Sequence, residues 1–199
     1  VVTPTASGKT MCYNLPVLSA ILQNPDARAL YLFPTKALSQ DQVSELYSLI
    51  EALDVDIKTY TYDGDTPGSA RKAVRQAGHI VVTNPDMLHS GILSQHTKWV
   101  KLFENLRYIV IDEIHTYRGI FGSNLANVLR RLLRLCAFYG SKPAFILCSA
   151  TIANPKELAE TLIGRPVHMV DDNGAPTGER HFIFYNPPVV NRQLGIRQG

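Results

Sequence analysis

The chain is 199 residues long, with 45% hydrophobic and 19% charged residues. This is an ordinary globular composition, and a chain of this length buries roughly 70% of the surface that it exposes when unfolded. Disordered, collagen-like and disulfide-scaffold classes are therefore excluded. Because no run of about 18 uninterrupted apolar residues is present, we expect no membrane-spanning segment and no membrane partner. The formal net charge of +3 permits a phosphate-bearing partner without requiring one.

The cysteines and the start of the chain add two expectations. Cys12, Cys136 and Cys148 are odd in number and far apart, which argues against a zinc site and favours a reducing, cytoplasmic location (nucleoid-associated in a bacterium). The chain opens directly on a motif, without an initiator Met or a leader. We therefore expect it to be a piece of a longer protein.

Short apolar runs alternate with amphipathic stretches, which is the βαβ rhythm of a mainly parallel sheet. Runs such as YIVID and AFILCS are nearly continuous apolar runs, as expected for strands that helices cover on both faces. The predicted strands are Ala29–Phe33, Ile57–Tyr60, His79–Thr83, Tyr108–Asp112, Ala144–Ser149 and Val167–Val170. The predicted helices are Gly8–Gln23, Ser39–Leu53, Ser69–Ala77, Pro85–Leu93, Ser123–Phe138 and Pro155–Ile163.

A polar segment near the end of the chain predicts a domain boundary. Residues 171–180 (DDNGAPTGER) contain two glycines and a proline and are typical of a linker. After them, His181–Tyr185 predicts a new strand. We therefore expect one α/β domain over residues 1–170, a linker over 171–180, and the start of a second domain over 181–199.

The first motif, TPTASGKT at residues 3–10, ends in the GK[ST] pattern of a phosphate-binding loop. Small residues let backbone N–H groups turn toward phosphates at the start of the following helix. Lys9 would reach the β- and γ-phosphates, and the Thr10 hydroxyl would ligate Mg²⁺. The usual first glycine is replaced by Thr3, so the loop is a variant. The predicted ATP-binding residues are Thr3, Thr5, Ala6, Ser7, Gly8, Lys9 and Thr10.

The second motif is the pair Asp112-Glu113 at the end of an apolar strand. Such a strand delivers both carboxylates to the edge of the sheet where α/β proteins bind ligands. Asp112 would hold Mg²⁺, and Glu113 would orient and deprotonate the attacking water. Together with Lys9, the two carboxylates form the predicted catalytic set of an ATPase.

These motifs, with others in the same order, resemble those of superfamily 2 helicases of the DExH type. The matching segments are FPTKAL at 33–38 with Gln42 following, YDGDT at 62–66, VTNPDMLH at 82–89, DEIH at 112–115 and SAT at 149–151. The details TPTASGKT, YDGDTP, TNPDMLH and the TYRG after DEIH resemble the branch that holds the bacterial mitomycin-repair and fungal Hrq-type helicases.

The resemblance implies a three-layer RecA-like P-loop NTPase domain, truncated at its N-terminus. It implies an ATP-dependent DNA helicase that moves 3′ to 5′ in genome maintenance, with a second RecA-like domain of the same chain as partner. It places His115, Ser149 and Thr151 in the coupling of ATP to movement. Short polar residues after strands suit sequence-independent phosphate contacts. The predicted nucleic-acid contacts are Pro34, Thr35, Lys36, Gly64, Thr83, Asn84 and Pro85.

Two alternatives to a DNA helicase stay open, and a third is disfavoured by the residues. An RNA helicase of the DExH type and a nucleotide-gated nucleic-acid-binding scaffold without unwinding activity both remain compatible with the motifs. A small-molecule kinase would leave the blocks after the first and third strands unexplained. The resemblance implies that arginines from a second domain complete the ATP site, so we expect the isolated chain to hydrolyse ATP scarcely at all.

Overall fold

The computed structural model describes residues 1–3, 8–172, 174, 181–186, 189–191 and 196–197. Three predicted loop residues, Thr5, Ala6 and Ser7, and most of the predicted linker lie outside this described part of the chain. Within it, no helix is both long enough and apolar enough to cross a membrane.

Five parallel strands form the central sheet, in the order β2-β3-β1-β4-β5. Their bounds are β1 Arg28–Leu32, β2 Thr59–Thr61, β3 Ile80–Thr83, β4 Leu106–Ile111 and β5 Ala144–Leu147. Strand β1 lies at the centre, where Leu30 pairs with Val81 on one side and Ile109 on the other. Five of the seven predicted strands are thus confirmed, with ends displaced by at most two residues.

Helices cover both faces of the sheet. The α-helices are α1 Lys9–Gln23, α2 Lys36–Ala52, α3 Gly68–Ala77, α4 Pro85–Met87, α5 Val100–Asn105, α6 Gly119–Phe138 and α7 Pro155–Ile163. A π-helix (Leu88–Ile92) and two 3₁₀-helices (Leu93–Lys98 and Ile114–Thr116) join them.

Alternate residues of the central strand β1 pack into two separate hydrophobic cores, one on each face of the sheet. Ala29 and Tyr31 pack with α1 and α2 on one face. Leu30 and Leu32 pack with α3, α5, α6 and α7 on the other. The sheet is therefore buried between two helical layers, and the predicted three-layer α/β architecture is confirmed.

Two predicted strands are wrong. Val167–Val170 forms no strand, because among the described residues only one ladder-like bond reaches it, from the Val2 N–H to the Val170 oxygen at 2.8 Å. His181–Tyr185 has no regular structure and is exposed. The strands observed in this region are β6 (Val189–Asn191) and β7 (Ile196–Arg197), which pair antiparallel.

Helix boundaries differ where local hydrogen bonds override the apolar period. The predicted helix Pro85–Leu93 is instead the short α4 followed by the π-helix. Helix α2 begins at Lys36, earlier than predicted, because the Thr35 side chain caps it. Helix α6 likewise begins at Gly119, which adopts a positive φ of 56°.

Candidate nucleotide and nucleic-acid sites

The predicted motifs meet at the carboxyl edge of the sheet, and the strand order divides that edge into two halves. Strands β3 and β1 lead into Asn84 and Thr35, which belong to the predicted nucleic-acid set. Strand β4 leads into Asp112, and β5 into Ser149. Val2 forms a parallel bridge with Ser149, which brings the start of the phosphate loop beside β5. The residues predicted to bind nucleotide therefore lie on one half of this edge (the nucleotide half), and those predicted to bind nucleic acid lie on the neighbouring half.

The described part of the phosphate loop leads into α1. Gly8 adopts a φ of 79°, a conformation that favours glycine. The ammonium of Lys9 donates to the backbone oxygen of the buried Thr3 at 2.9 Å, which ties the lysine side chain to the start of the motif. No side-chain cap and no acidic residue occupies the first turn of α1. The helix therefore presents backbone N–H groups and a positive dipole end, which suit phosphate oxygens.

Asp112 is only 8% exposed. Its Oδ1 accepts the Glu113 N–H at 2.8 Å, and its Oδ2 lies within hydrogen-bond distance of the Tyr13 hydroxyl, at 3.3 Å. Burial raises the pKa of Asp112, although these hydrogen bonds and the charge of Lys9 oppose the rise. Within the described residues no ion pair reaches this carboxylate. A buried carboxylate beside the Thr10 network fits Mg²⁺, which binds one or two protein oxygens together with substrate phosphates.

A buried hydroxyl network joins α1, α2 and β4. Thr10 Oγ1 and the Tyr13 hydroxyl both donate to Gln42 Oε1, at 3.0 and 2.7 Å. The Tyr13 ring is 1% exposed and meets the Tyr31 ring edge-on at 5.4 Å. The helicase-type motifs include Gln42 without a role for it, and none of them includes Tyr13. An apolar helical spacing is the only signal that Tyr13 carries, and that spacing indicates a core residue.

Glu113 has an unusual backbone conformation directly after Asp112. Its φ of 52° and ψ of 45° lie in the left-handed region, which costs a non-glycine residue about 1–3 kcal/mol and is typical of functional sites. Its Oε2 lies 3.1 Å from Nδ1 of His115, so the two are hydrogen-bonded only when that nitrogen carries a proton. The same Nδ1 lies 3.4 Å from the Ala150 amide. His115 thus joins the DEIH segment to the SAT segment.

The SAT segment lies between the DEIH segment and the start of the chain. Ser149 is fully buried, and its amide donates to the Val1 oxygen at 3.1 Å. Its Oγ has no hydrogen-bond partner among the described residues. Thr151 is exposed. The structure therefore places Ser149 inside the nucleotide half of the edge and Thr151 at its surface.

On the other half, the start of α2 is accessible. Thr35 is exposed, and its Oγ1 accepts the Leu38 amide at 3.4 Å. Lys36 is exposed and forms an ion pair with Asp65, in the loop after β2. Pro34, which precedes them, is half-buried. Thr35 and Lys36 therefore lie where a phosphate backbone could reach them.

The loop after β2 is braced against its own strand. The Asp63 amide donates to Thr66 Oγ1 at 2.9 Å, and Arg71 donates to the Thr66 oxygen at 2.9 Å while its guanidinium lies 5.3 Å from the Tyr62 ring centre. Gly64 is exposed, with open space where a Cβ would stand. The predicted contact at Gly64 therefore lies at the surface of an ordered loop.

The last residue of β3 and the two residues after it comprise one half-buried residue between two buried ones. Thr83 is 3% exposed, and its hydroxyl donates to the Tyr62 oxygen at 2.6 Å. Pro85 is buried. Asn84 lies between them, half-buried, and its Oδ1 caps α4 by accepting the Met87 amide at 2.8 Å. Thr83 and Pro85 are therefore placed to position Asn84, which lies between them.

Comparison with known proteins decides the family. The DEAD/DEAH box helicase family model matches residues 1–158. The chain belongs to this family. The helicase chain is 69% identical over 197 residues to the ATP-dependent helicase YprA of Bacillus subtilis, covering 99% of the chain and 26% of YprA. It is 40% identical over 196 residues to the ATP-dependent helicase HRQ1 of Saccharomyces cerevisiae, covering 96% of the chain and 18% of HRQ1.

Solved structures agree with the fold. The helicase chain superimposes on the DUF1998 helicase MrfA bound to DNA with a TM-score of 0.93 and 68% identity, covering 100% of the chain and 27% of MrfA. It also matches Mycobacterium smegmatis helicase Lhr bound to ssDNA and AMP-PNP, with a TM-score of 0.72 and 27% identity, over 89% of the chain and 24% of Lhr. The RecA-like fold and the branch expected from the motifs are confirmed. The chain spans about a quarter or less of the length of these relatives.

Proposed function

We propose that this chain is the first RecA-like motor domain of an ATP-dependent DNA helicase that moves 3′ to 5′ and acts in DNA repair. The observation that carries the proposal is the strand order, which brings the residues that we propose to bind ATP (the ATP half-site) beside those that we propose to bind nucleic acid (the nucleic-acid half-site) at one sheet edge. The matches to MrfA bound to DNA, and to MrfA bound to DNA and AMPPNP, support both ligands. The same matches support a cytoplasmic or nucleoid location.

At the ATP half-site, the chain supplies binding, charge and a base. Lys9 and the first amides of α1 bind the phosphates, together with the predicted loop residues Thr5, Ala6 and Ser7. Thr10 and Asp112 would hold Mg²⁺, which neutralises charge on the phosphate oxygens when bound. Glu113, next to Asp112 on a strained turn, orients the attacking water and accepts its proton. His115 and the SAT segment carry the change in nucleotide state onward.

At the nucleic-acid half-site, Thr35, Lys36, Gly64 and Asn84 contact the phosphate backbone of one strand. These groups are a hydroxyl, an ammonium, a glycine backbone and an amide, all suited to phosphate and none arranged to read a base. Pro34, Thr83 and Pro85 complete the predicted set by positioning them. Binding by this surface is therefore independent of base sequence.

The remaining parts lie beyond this domain. Residues 171–180 form the linker, and residues 181–199 begin a second RecA-like domain. That domain supplies an arginine across the interface, a contribution worth roughly 10³ to 10⁵ in rate in phosphoryl transfer. The isolated chain therefore binds ATP weakly and scarcely hydrolyses it.

The test uses the full natural chain with Glu113→Gln. We expect ATP binding to persist while DNA-stimulated hydrolysis falls by about 10²- to 10⁴-fold, because general-base catalysis contributes that range. The matched control is Glu104→Gln, the same change at an exposed residue of α5. Unwinding is then compared on duplexes that carry a 3′ DNA tail, a 5′ DNA tail or a 3′ RNA tail.

Each outcome separates one alternative. Unchanged hydrolysis by Glu113→Gln would remove the assigned base. Faster unwinding from the 3′ RNA tail would favour an RNA helicase, and faster unwinding from the 5′ tail would reverse the direction. ATP-dependent binding without any unwinding would favour the nucleotide-gated scaffold.

A further inference from the structure

Tyr13 is placed so that its single hydroxyl proton has two competing acceptors. The hydroxyl oxygen lies 2.7 Å from Gln42 Oε1 and 3.3 Å from Asp112 Oδ2. A tyrosine hydroxyl carries one proton, so it donates to one of these oxygens at a time. In this structure the shorter distance assigns the proton to Gln42. The ring is 1% exposed and wedged edge-on against Tyr31, so the hydroxyl cannot swing away to water.

The two acceptors belong to the two half-sites. Asp112 follows β4 and is a proposed ligand of Mg²⁺. Gln42 lies on α2, the helix that begins at Lys36 under a cap from Thr35, both proposed nucleic-acid contacts. Tyr13 itself lies on α1, directly after the phosphate loop. One buried side chain therefore touches an element from each half of the sheet edge.

Thr10 makes the arrangement responsive to nucleotide. Its hydroxyl also donates to Gln42 Oε1, at 3.0 Å, so that this oxygen accepts two donors at once. If Thr10 and Asp112 bind a cation together with the nucleotide, the hydrogen bonds available to Gln42 Oε1 and to Asp112 Oδ2 both change. These are the two acceptors of the Tyr13 hydroxyl.

We propose that the Tyr13 hydroxyl is a two-position relay that couples the nucleotide state at Asp112 to the position of α2 and hence to nucleic-acid affinity. Tyr13 is a positioning residue in this inference, because it acts through Asp112 and Gln42. The inference rests on the proposed function, since it needs both ligands to bind to this domain.

The experiment is a four-part binding cycle on the full natural chain. The dissociation constant of a fluorescent single-stranded DNA is measured with and without AMPPNP and Mg²⁺, and that of AMPPNP with and without the DNA. The ratio of the paired constants is the coupling factor, and it must be the same in both directions. In Tyr13→Phe we expect the coupling factor to fall about 3- to 10-fold, the net worth of one hydrogen bond.

Two further variants separate a relay from a general structural effect. Tyr31→Phe makes the same chemical change on the same face, at a hydroxyl that donates to Asn14 Oδ1 at 3.0 Å, and should leave the coupling factor unchanged. Gln42→Ala removes the acceptor and should lower the coupling factor as Tyr13→Phe does. Because both changes break one link, the double variant should lose no more than either single variant.

The failures are distinguishable. An unsubstituted protein that binds only one of the two ligands, or binds both without coupling, would overturn the proposed function and the relay together. A coupled protein in which Tyr13→Phe keeps the full coupling factor would overturn the relay alone. Equal losses in Tyr13→Phe and Tyr31→Phe would also overturn it, because they would show a packing effect.

Discussion

Two buried tyrosines should respond to the same substitution with opposite signs. Tyr117 is fully buried, and its hydroxyl has no hydrogen-bond partner among the described residues. Tyr31 is 2% exposed, and its hydroxyl donates to Asn14 Oδ1 at 3.0 Å. Replacing each with Phe removes one oxygen and leaves the ring. We expect Tyr117→Phe to stabilise the chain and Tyr31→Phe to destabilise it.

The magnitudes follow from the cost of an unsatisfied buried group, about 1–3 kcal/mol. Tyr117→Phe removes such a group and should gain that stability, reduced by a few tenths of a kcal/mol for the small cavity left behind. Tyr31→Phe creates one, because Asn14 is itself 2% exposed and loses its donor. The two variants should therefore differ by roughly 2–5 kcal/mol in the free energy of unfolding, with about 2–4 °C in melting temperature for each kcal/mol.

Urea unfolding of the 199-residue chain, followed by tryptophan fluorescence and circular dichroism, measures both values. The slope with urea should be unchanged, since neither variant alters the surface exposed on unfolding. Burial raises the pKa of both tyrosines, so the opposite signs should hold from neutral to mildly alkaline pH. Destabilisation by Tyr117→Phe of a size similar to that of Tyr31→Phe would refute the reasoning, because it would show that the Tyr117 hydroxyl is satisfied.

Two further predictions concern charge at the sheet edge. Burial raises the pKa of Asp112, so the folded state binds more protons than the unfolded state between the ordinary and the raised value, and stability falls as pH rises through that window. Asp112→Asn should not lose stability in this pH window, and at pH 7 it should melt at a higher temperature than the unsubstituted chain. The difference in melting temperature should shrink toward pH 4, and a difference that grows toward acid would contradict this prediction. Lys36 pairs with Asp65, and the two side chains are 50% and 82% exposed. We therefore expect Asp65→Ala to tighten single-stranded DNA binding and Lys36→Ala to weaken it. Lys36→Ala should also lower the dependence of the binding constant on salt concentration by about one charge. Fluorescence titrations at several salt concentrations test the pair, and equal shifts in one direction would exclude Lys36 as a phosphate contact.

The motifs could be read from the sequence because each follows an apolar strand. In a parallel sheet all such positions share one edge, so the pattern alone predicts that Thr35, Asn84 and Asp112 lie near one another. The burial of Thr83 was not predictable in the same way. Its hydroxyl bonds to the Tyr62 oxygen, and that pairing depends on β2 lying beside β3, which local spacing does not reveal.

Apolar runs at the end of the chain show where local pattern fails. His181–Tyr185 has the composition of a strand, yet Phe184 is 96% exposed and no ladder forms there. A strand needs a partner, and its propensity measures how well side chains fit a half-buried sheet. Val167–Val170 fails for the same reason, with one bond from Val2 in place of a ladder.

The sheet order also explains how one side chain can join the two halves of the site. Helices α1 and α2 pack on the same face of the sheet, so a side chain of α1 can touch Asp112 and α2 together. Tyr13 does so through one proton between Asp112 and Gln42. His115 does the equivalent within the nucleotide half, where one ring nitrogen faces both Glu113 and the Ala150 amide and can serve only one of them, depending on its proton. A group with a single proton and two partners has two discrete hydrogen-bonded states, and the proposed coupling of nucleotide binding to movement requires an element with two discrete states.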